Sequence, residues 1–436
     1  RRGERTEGGQ VALIDSAYSP CPVESAEGCA QDPSWRITAR RVSYDPDTQL
    51  IRFRGARLEL FGLSLVPLPF MEIRADGQPV SGVVTPDLRV SASNGLEMEG
   101  GYYWRIAANR ELTLKGTVYT EVLPMASARY AALTGNGAYQ LTGYITSSSR
   151  VPIGDPSASV AESQRDLRGY FDANGRFQLD PNWSVTSSIR VTTDRTFLRR
   201  YDISRDDRLR SMVNVERIDD DSYLSFAGWA TQTLRRDEDQ GLVPYALPAV
   251  DYRRRVADPL LGGQIMLQAN SMALFRTDGQ DTQRAFAKAE WSLRRLTPWG
   301  QVVELTALAR GDAYHSDENF LTSVDRYRGQ SGWQGRGIAL GAVDVTYPLT
   351  GTFLGGTQVL TPHVQLVGTP DIKNLALPNE DSRAIDLEDT NLFSLNRFPG
   401  DDRFEDGARV TYGVDWQFTK PDWQVTANFG QSYRLP

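Results

Sequence analysis

A two-residue alternation of apolar and polar side chains, sustained from residue 81 to residue 436, most constrains what this chain can fold into. In its last stretch, apolar residues alternate with polar ones, with Trp423, Val425, Ala427 and Phe429 set between Gln424, Thr426 and Asn428. Successive side chains of a β-strand point to opposite faces, so this period puts each set on one face. The pattern therefore predicts an all-β chain of many strands, each with one apolar and one polar face.

Long charged loops alternate with short turns along this region. The candidate loops are residues 152–168, 235–255, 315–334 and 371–406, and the candidate turns are residues 173–175 and 420–422. Long loops at one end and short turns at the other are typical of an outer-membrane β-barrel, although a soluble β-sandwich also alternates. At about 20 residues per strand with its loop, residues 81–436 would supply about 16 strands. The longest apolar run, residues 63–70, contains proline and is too short for a transmembrane helix.

Charge and rare residues narrow the possible functions. A net charge of −7 argues against nucleic acid as the main partner. His315 and His363 lie in no recognisable catalytic motif, and neither is near Cys21 or Cys29 in the sequence. We therefore expect no enzyme activity, no metal site and no cofactor. A single cysteine pair is typical of an exported protein with one disulfide.

Acidic residues cluster within the last long loop. These residues are Asp386, Glu388, Asp389, Asp401, Asp402, Glu405 and Asp406. Carboxylate oxygens bind hard divalent cations, so a cation site is one interpretation of the cluster. A solvated loop is the other interpretation, and it is the commoner outcome for a run of charges.

Residues 1–80 predict short strands that precede the long alternating region. Trp35 and Ile37 alternate with Arg36 and Thr38, as in a strand with one buried face. Residues 63–70 are almost continuously apolar, which predicts a strand buried on both faces. A segment of about 80 residues buries only a small core, so we expect it to be part of a larger β-domain.

The stretch 81–114 marks the change between the two regions. Tyr102, Tyr103 and Trp104 stand together there, and Tyr and Trp favour a membrane–water interface, where one side is apolar and the other wet. An aromatic strand of an ordinary β-protein is the alternative. Pro86 lacks a backbone donor, so it predicts a strand start, a bulge or a weak pairing at a sheet edge.

This stretch resembles the first barrel hairpin of the LptD family (also called OstA or Imp) of lipopolysaccharide-assembly proteins. The matching residues are Ser81, Gly82, Pro86, Tyr102, Tyr103, Trp104, Ile106, Ala107, Asn109, Leu112 and Thr113. The resemblance implies that residues 1–80 are the C-terminal part of a periplasmic β-jellyroll and that residues 81–436 belong to an antiparallel transmembrane β-barrel. The family barrel has about 26 strands, so we expect this barrel to be incomplete, with its N-terminal and middle strands present.

The resemblance also implies a lateral gate. In the family, the first and last barrel strands meet at a seam that opens to release lipopolysaccharide, and prolines in the first two strands weaken the pairing there. Pro86 matches the first of these prolines, whereas Gly101 stands where the family usually has the second. Glycine also weakens a strand, through its flexibility.

The implied function is a translocon that receives lipopolysaccharide from an LptA-like periplasmic bridge, holds an LptE-like lipoprotein plug and inserts its cargo into the outer membrane. The expected lipid path in the jellyroll consists of Trp35, Ile37, Phe53 and Leu60. Polar-face candidates for contact with plug or sugar are Arg190, Glu304, Arg310 and Asp415. Cys21 resembles a family cysteine, which implies a disulfide with Cys29 or with a cysteine outside this sequence. A general diffusion porin and a barrel hydrolase that uses His315 or His363 are the alternatives.

Overall fold

The structure, a computed structural model, describes residues 2–5, 9–19, 35–60, 62–68, 71–91, 94–149, 165–257, 261–382, 385 and 387–436. The chain divides into two compact units. The first contains Arg1–Phe177, Ser188–Leu209 and Leu234–Arg236, and the second contains Gln178–Ser187, Arg210–Thr233 and Asp237–Pro436. Within the described ranges, none of the helices is long and apolar enough to cross a membrane. Cys21 and Cys29 lie outside the described residues, so their pairing stays a prediction.

The front of the first unit forms an antiparallel sheet of seven strands. They are β1 Arg2–Arg5, β2 Val11–Tyr18, β3 Trp35–Asp45, β4 Leu50–Arg54, β5 Ala56–Leu60, β6 Leu63–Leu68 and β7 Met71–Arg74. The strand order is β1-β2-β3-β4-β7, while β5 pairs with β3 and β6 pairs with β5. Ile37, Ala39, Phe53 and Ala56 form the buried core of this front sheet, because alternate residues of neighbouring strands point to one side.

The prediction that residues 63–70 form a strand buried on both faces is wrong for β6. Leu63, its first residue, is 67% exposed. In the described part of the front sheet, β6 pairs with β5 and with no other strand, so it lies at an edge. Apolar composition alone therefore overestimated its burial.

Eighteen further strands lie between Gly82 and Leu435 in the described part of the chain, where the sequence predicts about 16. The first nine are β8 Gly82–Ser91, β9 Gly95–Ala107, β10 Arg110–Tyr119, β11 Met125–Thr134, β12 Gly137–Ser149, β13 Arg165–Gln178, β14 Trp183–Thr192, β15 Arg208–Ile218 and β16 Ser222–Thr233. The rest are β17 Tyr245–Val256, β18 Gln264–Phe275, β19 Asp281–Leu296, β20 Val302–Asp317, β21 Gly332–Thr346, β22 Leu349–Phe353, β23 Gly356–Thr369, β24 Gly407–Lys420 and β25 Trp423–Leu435. Short helical segments are α1 Phe197–Arg200, α2 Asp325–Arg328 and the 3-10 turns Gln240–Leu242, Asn319–Leu321 and Asn374–Ala376.

Several of the predicted connections differ in the structure. The loop predicted over residues 152–168 ends where β13 begins at Arg165, and the loop predicted over residues 315–334 is shorter, because β20 runs to Asp317 and β21 begins at Gly332. The predicted turn at residues 173–175 is wrong, because β13 runs through it to Gln178. The turn comes later, where the Asp180 carboxylate accepts hydrogen bonds at 2.8 Å from the backbone N–H groups of Asn182 and Trp183. An aspartate that binds the backbone two residues ahead is a strong turn former. The loop predicted over residues 235–255 is shorter, because β17 begins at Tyr245.

The alternation predicted for the second unit is confirmed by the two faces of its strands. On β20, Leu305, Ala307 and Ala309 are exposed, whereas Leu308, Arg310, Asp312 and Tyr314 are buried. The buried face is covered by residues 370–406, and the exposed face is apolar. Both observations follow from strand parity, which places every second residue on the same side. The all-β fold class is therefore confirmed.

Candidate functional site

Pro86 lies at a β-bulge in β8. Val84 pairs with Gly101 and Asp87 pairs with Glu99, so the two residues between them on β8 oppose one residue on β9. A bulge leaves a residue unpaired, and proline has no backbone N–H to lose there. Of the arrangements predicted for this proline, the structure shows the bulge, and a role in a gate stays a prediction.

Gly101 lies where β9 and β10 approach each other closely. A Cβ atom at this position would lie 2.4 Å from the carbonyl oxygen of Leu114 on β10. Real Cβ atoms do not approach backbone oxygens so closely, so any other residue would force the two strands apart. The proline that the family usually has here would meet the same contact, which gives a packing reason for glycine in this chain.

The three aromatic residues of β9 do not share one face. Tyr102 is 48% exposed and Trp104 is 52% exposed, and both lie on the same side of the strand. Tyr103 points to the other side, where its hydroxyl donates to the Glu111 carboxylate at 2.9 Å. Tyr102 and Trp104 are therefore the pair available to a membrane interface, and Tyr103 belongs to the polar face.

Arg105, a residue that the sequence did not single out, binds the connection that leads into β8. Its backbone N–H donates to the Ser81 hydroxyl at 2.8 Å. Its guanidinium donates to the Pro79 carbonyl at 2.9 Å and to the side-chain oxygen of Gln78 at 2.8 Å. These contacts join the link between the front sheet and β8 to the end of β9.

The front sheet brings together three of the four residues expected on the lipid path. Ile37 and Phe53 are buried in one apolar cluster, and Trp35 packs against it. Leu60 pairs with Trp35 in the register of β3 and β5, but its side chain lies outside the described residues. The three described side chains thus line one apolar side of the sheet, and contact with lipid stays a prediction.

Residues 193–207, which we call the first cap, fold back onto strands of the first unit. Phe197 and Leu198 of α1 are fully buried, and Tyr201 is 7% exposed. They pack with Tyr119 of β10 and Tyr170 of β13 in one apolar cluster. Burying this much aromatic and aliphatic surface favours the closed arrangement, because apolar area removed from water stabilises by about 25 cal/mol per Å².

A buried ion pair holds the base of the first cap. The Arg168 guanidinium donates two hydrogen bonds of 2.8 Å to the Asp194 carboxylate, whose side chain is fully buried. The backbone N–H and the hydroxyl of Thr196 also donate to Asp194, each at 2.9 Å. Arg168 lies over the Phe197 ring at 5.5 Å. A bidentate pair with its remaining groups satisfied is the geometry in which a buried charge is tolerated.

Residues 370–406, which we call the second cap, fold onto β19, β20 and β21 of the second unit. Arg284 of β19 donates to Asp402 at 2.7 Å and to Asp381 at 2.5 Å. Asp402 is 1% exposed and also accepts hydrogen bonds from the Tyr314 hydroxyl at 3.0 Å and from the backbone N–H of Glu380 at 2.7 Å. One carboxylate thus joins both halves of the cap to two strands.

Two more arginines extend this network along the covered face. Arg310 donates to Asp312 at 2.6 Å and to Asp401 at 3.2 Å. Arg336 donates to the same Asp312 at 2.6 Å and to the backbone carbonyl of Asp402 at 2.9 Å. The strands therefore present arginines from three neighbours, and the cap supplies most of the oxygens that neutralise them.

The charge state of Asp381 depends on this network. Burial raises the pKa of the Asp381 carboxyl, but the charge of Arg284 and its hydrogen bond outweigh burial and hold the pKa below the ordinary value of 3.8. A carboxylate that gains a cationic partner on folding stays ionised at neutral pH. Asp381 therefore contributes a negative charge to the second cap at neutral pH.

The tip of the second cap lies against β23, β24 and β25. The Phe393 ring stacks on His363 at 3.5 Å between ring centroids. His363 Nε2 lies 2.7 Å from the Asp344 carboxylate, and a Cβ atom on Gly430 would lie 2.3 Å from Leu392. The glycine therefore makes room for an apolar side chain of the cap, and the histidine serves as a packing surface.

The prediction that the acidic residues form a solvated loop is wrong for the second half of the cluster. Asp402 binds Arg284, while Glu405 accepts from Arg397 and from Arg409, the latter at 2.9 Å. Glu388 and Asp389 are exposed as expected, and Asp386 lies outside the described residues. The described ranges contain no group of three or more histidine, cysteine or acidic side chains that could hold a metal ion.

The sequence pattern does not predict which arginines bind these carboxylates. Arg336 and Arg310 each stand between two small residues, whereas Arg284 follows Gln283, and the sequence pattern indicates only Arg310 as a candidate. Alternation can identify a lone arginine on the polar face of a strand. It cannot identify the carboxylate that the arginine binds. Arg190, also named from alternation, donates to the Tyr170 hydroxyl at 3.0 Å and to Asp206 at 2.6 Å.

An all-β chain whose strands expose an apolar face and cover a polar one has the organisation of a transmembrane β-barrel protein. The family described as LptD, LPS transport system D, matches residues 166–436, which is more than half of the sequence. The chain belongs to the LptD family.

Relatives in the family align with nearly the whole chain. The LPS-assembly protein LptD of Polaromonas sp. is 26% identical over 94% of this chain and 51% of its own length. The protein of the same name from Acinetobacter baylyi is 22% identical over 99% of this chain and 52% of its own length, and that from Vibrio vulnificus is 24% identical over 97% and 53%. The chain thus spans about half the length of the curated relatives it matches.

Proposed function

We propose that this chain is part of an outer-membrane translocon that receives lipopolysaccharide on its periplasmic side and inserts it into the outer leaflet. The observation that carries the proposal is the alternation of faces, because strands with an apolar outside and a charged inside suit a polar cargo passing through lipid. Membership of the LptD family and the relatives' name, LPS-assembly protein, support it. The proposal assigns no catalytic step to the chain.

In this proposal the two regions divide the work. Residues 1–80 are the periplasmic β-jellyroll portion, which takes the cargo from an LptA-like bridge and holds acyl chains against Trp35, Ile37, Phe53 and Leu60. Residues 81–436 are outer-membrane barrel strands, whose polar face carries the sugar portion and accommodates an LptE-like plug. The apolar cluster of the front sheet supports the first role, because acyl chains partition onto buried apolar surface.

The proposal places the exit for lipid beside β8. The bulge at Pro86 removes ladder hydrogen bonds from this strand, and Gly101 on β9 pairs directly beside it. This bulge weakens the pairing of β8 with β9, so β8 is held less firmly beside the proposed seam. A disulfide engineered between β8 and the strand facing it across the seam in the full-length protein should stop export until it is reduced. If the amount of lipopolysaccharide at the cell surface is unchanged while the disulfide is formed, the proposed gate is wrong.

A photo-crosslinking experiment tests the role of the front sheet. A photoreactive phenylalanine analogue at Phe53, in the full-length protein in its own bacterium, should form an adduct with lipopolysaccharide on illumination. The same analogue at Arg54, which is exposed on the opposite side of β4, is the matched control and should give little adduct. A porin would give no adduct at either position, and equal adducts at both would contradict the predicted path.

A further inference from the structure

The segment between the front sheet and β8 has little structure of its own. Residues 78–81 follow the last turn of the front sheet and belong to no strand or helix. Gln78 and Pro79 are exposed. Such a segment, left alone, samples many conformations, since each unconstrained backbone residue carries about 1–2 kcal/mol of conformational entropy at room temperature. Something must therefore hold its direction if the front sheet is to stay aligned with β8.

Arg105 supplies those constraints from one position. Its backbone N–H and its guanidinium together reach Gln78, Pro79 and Ser81 at distances of 2.8–2.9 Å. Among the described residues, the hydrogen bonds to the Pro79 carbonyl and the Ser81 hydroxyl both come from Arg105. A guanidinium has a planar fork of donors, so two acceptors bound by the same fork are fixed relative to each other.

The position of Arg105 on β9 gives these contacts a consequence. β8 begins at Gly82, one residue after Ser81, and Gly82 pairs with Tyr103, two residues before Arg105. The contacts of Arg105 thus hold the start of β8, before its bulge. Residues 78–81 cannot change direction relative to β9 without breaking them.

We infer that Arg105 is a positioning residue that fixes the direction in which the front sheet meets the first hairpin, so that cargo leaving the sheet is delivered beside β8. The inference rests on the proposed function for the delivery of cargo. The alignment itself does not depend on what the cargo is. Arg105 also stands within the stretch that resembles the family hairpin, at a position that the resemblance leaves unspecified.

The inference is tested by measuring the distance between spin labels on the front sheet and on the hairpin. Labels at Asp47 and Asn109 of the full-length protein report the alignment directly. The unmodified protein should give one narrow distance distribution. The Arg105→Ala variant should give a broad one. Arg105→Lys, which keeps the charge without the fork, should restore only part of the narrow distribution.

A matched control and a second readout separate alignment from folding and from function. Arg129→Ala on β11 removes an exposed arginine whose guanidinium donates to Gln140 at 3.0 Å, and it should leave the distribution narrow. Heat-dependent migration in detergent should show Arg105→Ala still folded. A narrow distribution in Arg105→Ala would overturn the inference, whatever the cargo. A broad distance distribution in Arg105→Ala with an unchanged lipopolysaccharide adduct at Phe53 would support the role of Arg105 in alignment. The same result would contradict its link to delivery of the cargo.

Discussion

The two caps combine apolar burial and charge in different proportions. The first cap buries Phe197, Leu198 and Tyr201 in an apolar cluster that surrounds one ion pair. The second cap also buries apolar side chains, namely Leu377, Leu392 and Phe404, and it adds a network of arginines and aspartates. Hydrophobic burial does not titrate, whereas charges that are partly exposed weaken with salt and with protonation. A change in charge should therefore weaken the second cap more than the first.

The largest effect is expected for Arg168→Ala in the first cap. The substitution leaves the Asp194 carboxylate buried without its cation, which costs about 3–5 kcal/mol of stability when one partner of a buried pair is removed. Thermal unfolding followed by heat-dependent migration in detergent measures the loss. Arg129→Ala, on an exposed surface of the same unit, should change the unfolding temperature little. Equal shifts for the two variants would mean that the buried pair does not hold the cap.

A smaller effect is expected for Asp402→Asn in the second cap. The asparagine keeps the shape but loses the charge that Arg284 and Tyr314 bind, at a cost of about 1–3 kcal/mol. Asp381 remains beside Arg284, which limits the damage. Limited proteolysis should cut residues 387–390 faster, because the cap opens more often. Asp389→Asn, an exposed change in the same cap, is the control, and equal cleavage of both would contradict the role given to Asp402.

The smallest effect is a dependence of the second cap on acid. The pKa of Asp381 lies below its ordinary value of 3.8 in the folded protein, so its ion pair stabilises fully above that value. The stabilisation is lost as the pH falls through the lower pKa of the folded state. The second cap should therefore be cut faster by an acid-active protease as the pH falls through the pKa of Asp381, while the buried apolar cluster of the first cap resists. Loosening of the second cap near neutral pH would assign its closure to another group.

Much of the fold follows from local pattern, and the failures are specific. Alternation predicted that Arg310 lies on the polar face, because a residue's face depends only on its place in the strand. The turn expected at residues 173–175 failed because Asn and Gly also occur within strands, while Asp180 provides a stronger turn signal nearby. The prediction of a solvated acidic cluster failed in its second half because charge favours water unless a partner is present, and the sequence pattern does not show the partner.

Sequence alone determined the strands, their two faces and the resemblance of the first hairpin to its family, since each depends on residues that are close together in the chain. Only the tertiary structure decided which charges meet. Arg284 lies 118 residues before Asp402, and Arg310 lies 91 residues before Asp401. A loop folds back over such a distance only when the contacts it gains exceed the conformational entropy it loses, and that balance is a property of the assembled strands.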